Sequence, residues 1–166
     1  MLEFWSGLCE RAGMQDNNDL PDDSLAPRAT RKSLPMSLLR AREAMMSHFR
    51  PMLDRHGVNE QQWRVIRVLA EAGQLDASEV AERANILAPS LTRMIRTMAE
   101  RGLIEKARDA GDGRRVMLAI APAGIDLLRE VSPDSARIYA DLEARFGKAN
   151  VKALIDLLDA LSELKA

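Results

Sequence analysis

The sequence predicts a mainly α-helical fold of about six helices with a single β-hairpin set among them. Three observations carry this. Only 4% of the 166 residues are aromatic, while Ala, Leu, Arg and Glu are abundant, a composition that favours helix. From Met36 onward, apolar residues recur mostly at three- and four-residue intervals, the period of a helix with one buried face. One stretch, Leu103 to Ile120, breaks that period. There, alternating residues flank the turn-forming sequence Asp-Ala-Gly-Asp-Gly, as in a hairpin.

The elements follow in order. Residues 1–32 are polar, acidic and proline-bearing, with six acids against two arginines in the first 30 residues, a net of −4. They are expected to form a disordered arm. A first helix begins near Pro35 and carries Met36, Leu39, Met45, Met46, Phe49, Met52 and Leu53, with a kink or break expected at Pro51. Gly57 suits a left-handed helix end. Asn59 with Gln62 forms a capping box for a second helix over about Glu60–Glu71. Asp76 with Glu79 repeats the device for a short third helix that ends near Ala84. Pro89 opens a fourth helix, which Gly102 ends, and Leu91, Met94, Ile95 and Met98 are its apolar stripe. Leu103–Arg108 and Arg114–Ile120 are the hairpin strands. Pro122 opens a fifth helix, with a kink or interruption expected at Ser132–Asp134. A final helix over about Lys148–Leu164 carries Val151, Leu154, Ile155, Leu158 and Leu161.

Composition narrows the function. No apolar run reaches the roughly 20 residues of a membrane span, and the acidic start lacks the basic segment of a secretory signal. A cytoplasmic, soluble protein is expected. The lone Cys9 cannot form an internal disulfide, and no Cys/His cluster has metal-ligand spacing, so neither metal nor cofactor is expected. There is no glycine-rich phosphate loop and no nucleophile elbow, and His48 and His56, both read as lying on the first helix, are the only histidines. These absences argue against an enzyme.

A capped short helix, a brief turn, a second helix with polar and basic groups at its start, and then a hairpin make a winged helix-turn-helix pattern. An α-helix fits the DNA major groove and reads base edges with its first turns. Ser90, Thr92, Arg93 and Arg96 lie outside the apolar stripe and are the candidate readers, joined by Ser78 on the short helix. Arg114 and Arg115 at the wing suit a narrow minor groove. Residues 88–118 hold seven basic groups against four acids, a net of +3 within a chain of net −1. Charge alone leaves two readings, a DNA-binding face or a solvated surface in which Arg101, Lys106 and Arg108 pair with Glu100, Glu105 and Asp109.

The stretch "LAPSLTRMIRTMAERGLIEKARDAGDGRRVMLAIAPAG", Leu87 to Gly124, resembles the MarR family of bacterial regulators in its "SLTRMIRTMAERGLI" pattern, its "RD…GDGRRV" wing and its "PAG" helix opening. The resemblance covers residues 33–166. One departure is Ala121, where the family usually carries a capping threonine, which predicts a weaker helix start. Upstream, "SLPMSLLRAREAMMSHFRPMLDRHGVNEQQWRVIRVL" resembles the branch of that family that represses homoprotocatechuate (4-hydroxyphenylacetate) degradation operons. The resemblance implies a homodimer joined through its terminal helices, about 33–57 and 122–166, with a DNA-binding lobe over about 59–121. It also implies a pseudo-palindromic double-stranded DNA operator and a small aromatic carboxylate effector whose binding opposes that of DNA.

For the effector, Ser37, Arg40 and His48 fall on one stripe of the first helix, and Trp63 and Arg67 stand four apart on the second. Guanidinium groups suit a carboxylate, an indole suits a ring, and Ser and His suit phenolic hydroxyls. The competing reading makes Trp63 a core anchor, His48 an interface residue, and the arginines solvated or paired with Glu43 and Glu71. For the whole protein, the competing reading is an architectural DNA binder or a protein-interaction winged helix with no effector.

Overall fold

Six helices and three short strands are formed by residues 33–108 and 115–164, the part that this computed structural model describes. The expected arm, Cys9, the wing tip and Arg114 lie outside the described residues. The chain divides into two units, residues 1–43 and 44–166.

Helix α1 spans Leu34–Arg55 and runs on through Pro51. The break expected there is absent. Pro51 lacks the N–H that would bond the Ser47 carbonyl, but both residues are exposed, so water can serve that carbonyl. Phe49, Met52 and Leu53, on either side of Pro51, are buried in the core. His56 lies one residue beyond the helix, not on it as expected, and faces Glu130 and Asp134 at 3.7 Å each.

Helix α2, Glu60–Ala72, has the expected capping box. The Gln62 N–H donates to Asn59 Oδ1 at 2.9 Å, and the Asn59 N–H donates to Gln62 Oε1 at 3.0 Å. The second capping box is also formed. The Glu79 N–H donates to Asp76 Oδ1 at 2.8 Å at the start of helix α3, Ala77–Arg83. Helix α4, Ala88–Glu100, buries Leu91, Ile95 and Met98. It ends in a left-handed Gly102 (φ 68°), with the Leu103 N–H donating back to the Met98 carbonyl at 3.0 Å. Asn85 (φ 49°) takes the same place after α3, one of the few non-glycine residues that tolerate it.

The sheet has three strands, not two. Strands β2 (Ile104–Arg108) and β3 (Val116–Ile120) form the expected hairpin, with Ile104 opposite Ile120 and Arg108 opposite Val116. Strand β1, Leu75–Asp76, pairs antiparallel with the other edge of β3, placing Leu75 opposite Leu118. A two-residue strand is too short to show a period, so the sequence carried no sign of it.

Helix α5, Pro122–Phe146, begins at Ala121, where no side chain caps it, as the missing hydroxyl predicts. It also runs through its proline, Pro133, without the expected interruption; Pro133 and Arg129, whose carbonyl is freed, are both exposed. Helix α6, Lys148–Ser162, buries none of its residues. The core of the larger unit gathers Met52, Leu53, Ile66, Leu69, Val80, Leu91, Met98, Ile104, Leu118 and Val131, each at most 2% exposed.

Candidate nucleic-acid interface

The core fixes which face of α4 is presented. With Leu91, Ile95 and Met98 buried and Met94 half-buried, Ser90, Thr92, Arg93, Arg96 and Thr97 are left exposed on the opposite side. The first turn is organised by the backbone. The Leu87 carbonyl accepts from the Ser90 N–H at 2.9 Å and the Leu91 N–H at 3.0 Å, and Pro89 presets the helical φ. Thr92 Oγ1 donates to the Ala88 carbonyl at 3.1 Å, which leaves its oxygen as an acceptor. Arg96 Nε stands 3.6 Å from Glu100 in an exposed pair one turn on. Arg93 makes no ion pair among the described residues. A polar notch of about 390 Å³ separates Ser90, Arg93 and Thr97 from Asn59, Gln61 and Gln62 at the start of α2.

Ser78 is exposed on α3, and its backbone also supports the Asp76 carboxylate. Arg115 immediately precedes β3, at the loop end of the hairpin, one residue past the Arg108–Val116 pair. Its guanidinium donates to Asp76 Oδ2. This guanidinium first, and the Glu79 N–H second, hold the Asp76 carboxyl below the usual carboxylate range. A single carboxylate thereby caps α3, sits in β1 and anchors the start of the second wing strand. Only the first of these roles was legible in the local pattern around Asp76.

The residues proposed for an effector are divided between the two units. Ser37 and Arg40, in the smaller unit, hydrogen-bond each other at 3.1 Å. In the larger unit, Trp63 packs half-buried against the core. Arg67 pairs with Glu71 at 3.1 Å beside a shallow hollow of about 210 Å³ that Arg83 also lines. His48 lines a different and larger groove of about 640 Å³, between α1 and the second half of α5. Met45, Met52, Ile138, Leu142 and Phe146 give that groove an apolar lining. Arg55, Arg137 and Arg145 stand at it, paired with Asp134 (the first two) and Asp141. Asp134 is held below the usual carboxylate range by Arg137 first and Arg55 after it, against the opposing effect of burial. The sequence reading missed the α5 side of this groove. Its signal was present: Asp134, Arg137, Ile138, Asp141, Leu142 and Arg145 follow i, i+3, i+4, i+7, i+8, i+11. Reading Pro133 as an interruption hid it.

A short capped helix, a turn, a second helix with a polar outward face and a β-hairpin packed beside them define a winged helix-turn-helix protein. Residues 56–115 match the MarR family. The chain is 37% identical over 133 residues to the HTH-type transcriptional regulator FarR of Neisseria gonorrhoeae, covering 80% of this chain and 91% of that one. It is 38% identical over 127 residues to the homoprotocatechuate degradative operon repressor of Escherichia coli, covering 76% of this chain and 86% of that one. Among solved structures, NadR in complex with 4-hydroxyphenylacetate superposes with a TM-score of 0.74 at 35% identity, covering 88% of this chain and all of that one. The chain belongs to the MarR family.

Proposed function

We propose that this protein is a ligand-responsive repressor. As a homodimer it binds a pseudo-palindromic DNA operator of an aromatic-compound catabolic operon, and a small aromatic acid releases it. It works in the cytoplasm by binding, not by catalysis. The observation that carries the reading is the outward face of α4, where Ser90, Thr92, Arg93 and Arg96 stand opposite the buried stripe. Relatives of this similarity are an operon repressor and a regulator solved with 4-hydroxyphenylacetate. No described helix is long and apolar enough to cross a membrane.

Dimerisation is supported by α6. Leu154, Ile155, Leu157 and Leu158 are between 38% and 69% exposed on a helix with no buried residue, and a two-fold contact between copies would cover them. For the effector, we assign the carboxylate to Arg40 or Arg67 and the phenolic contact to His48. The structure of NadR in complex with 4-hydroxyphenylacetate supports an aromatic acid of that size.

The test is a gel-shift titration with the DNA upstream of the protein's own gene. Saturable binding with a steep salt dependence is expected, followed by release on adding 4-hydroxyphenylacetate, hydroxybenzoates or hydroxycinnamates. A hundredfold rise in the operator Kd corresponds to about 2.7 kcal/mol of coupling. Binding with no preference for that region, or no release by any of these acids, would overturn the reading.

A further inference from the structure

The structure points to a base-reading residue that does not hydrogen-bond. We propose that Leu87 reads thymine, packing its isobutyl group on a thymine 5-methyl in the major groove. This rests on the DNA-binding reading and adds a specificity determinant to it.

Leu87 is 78% exposed, more than any other large hydrophobic among the described residues. A single exposed leucine on an arbitrary surface needs no partner. This one occupies the N-cap of the recognition helix, where Ser, Thr, Asp or Asn would satisfy a first-turn N–H. The chain instead keeps a residue that caps nothing and exposes apolar surface. Its neighbours in sequence show that burial was available nearby: Ile86 is 7% exposed and Leu91 1%.

Position and surroundings select the occupant. The first turns of a recognition helix lie nearest the base edges. Leu87 is held firmly there, because its carbonyl accepts two backbone N–H groups and Pro89 restricts the turn that follows. Of the exposed residues that follow it on α4, Ala88 and Pro89 are small, and Ser90, one turn on, is polar. Apart from Val116 on β3, the other exposed large hydrophobics lie on α1, α5 and α6 or just past its end. Leu87 is therefore the one exposed large hydrophobic at this helix among the described residues, followed on the outward face by hydrogen-bonding and cationic groups. A protein-docking patch would be larger and continuous. The major-groove edge fits instead, because its one apolar feature is the methyl group of thymine.

The experiment starts by selecting duplexes from a random-sequence pool with the full-length protein. Each thymine of the selected site is then replaced singly by deoxyuridine, which removes the methyl and keeps the pairing. Wild type should lose about fourfold in affinity at one thymine of each half-site, equivalent to roughly 0.8 kcal/mol for one buried methyl. Leu87→Ala should bind the unmodified site more weakly and show no loss from that replacement. Leu87→Met, which keeps the apolar volume, should retain it. Equal thermal unfolding of all three proteins checks that the fold is unchanged. A selected site without thymine, or a deoxyuridine penalty identical in wild type and Leu87→Ala, overturns this inference and leaves the DNA-binding reading standing. Failure to enrich any duplex overturns both.

Discussion

Arg115, the residue just before β3, donates to the carboxylate of Asp76, 39 positions earlier in the chain. The link joins the loop end of the wing hairpin to the N-cap of the helix-turn-helix. Its consequence for DNA binding is specific. An arginine already compensated by a carboxylate releases no counterion from a phosphate, whereas an uncompensated one does. Arg115→Gln should therefore weaken operator binding by loosening the wing while leaving the slope of log Kd against log salt unchanged. Arg93→Gln should lower that slope by about one. Equal slope changes in the two variants would show that Arg115 leaves Asp76 to contact phosphate.

Acid stability should report Asp134, which Arg137 and Arg55 hold below its ordinary 3.8. A depressed folded-state value means that the contribution is complete above the unfolded value and is lost as the pH falls through the folded one. At fixed protein concentration, wild type should hold its stability down to about pH 4 and lose it progressively below. Asp134→Asn should be less stable above pH 4 and flatter below it. Parallel curves for the two proteins would remove Asp134 from the acid transition.

Two glycines separate steric from conformational cost. A Cβ at Gly124 would overlap the Leu103 carbonyl oxygen and press on Ile120. That carbonyl is fixed, because it accepts the Ala121 N–H at 3.1 Å. Gly124→Ala should destabilise by about 1–3 kcal/mol, the usual range for overpacking. At Gly102 a Cβ has room, its nearest neighbour being Ala123 Cβ at 4.0 Å, but φ is 68°. Gly102→Ala should cost about 1 kcal/mol from the left-handed backbone alone. Chemical denaturation of both variants should rank Gly124→Ala as the worse; the reverse order would contradict the close approach.

What the sequence revealed, and what it hid, follows from the range over which each signal acts. The capping boxes at Asn59 and Asp76 and the α4 stripe are local patterns within four residues, and they form as read. Pro51 and Pro133 misled because the local rule says that a hydrogen bond is lost, not that the lost bond is exposed and cheap. Strand β1 and the Asp76–Arg115 link depend on partners about 40 residues away, beyond any periodic signal. The same holds for the groove lined by His48. A stripe on one helix shows which residues share a face but not which helix packs opposite.

The effector's carboxylate should exchange for an existing partner. Arg67 is already bonded to Glu71, and Arg40 to Ser37, so the ligand must displace or share these contacts. Arg67→Ala and Arg40→Ala should each bind operator as wild type does, since neither lies on α4 or the wing. At least one should need about tenfold more aromatic acid for release. Gel-shift titrations at graded acid concentrations read this directly. Unchanged release in both variants moves the carboxylate to the arginines of the α1–α5 groove, Arg55 and Arg137, which Arg137→Ala would then test.

The apolar stripe of α6 makes dimerisation testable. Leu154 and Leu158 stand one turn apart, 45% and 38% exposed, and are not needed to fill the core around Leu118 and Val131. If a second copy covers them, a charge there is desolvated on association and disfavours the dimer, while the lobe that carries α4 keeps its fold. Leu154→Glu/Leu158→Glu should therefore sediment as a monomer with unchanged far-UV circular dichroism. A monomer engages one half-site without the linked second contact, which is worth a factor of about 10² to 10⁴. Operator affinity should fall by at least a hundredfold, with half-site affinity unchanged. A variant that remains dimeric, or a monomer that binds the full operator as tightly as wild type, would place the working interface elsewhere.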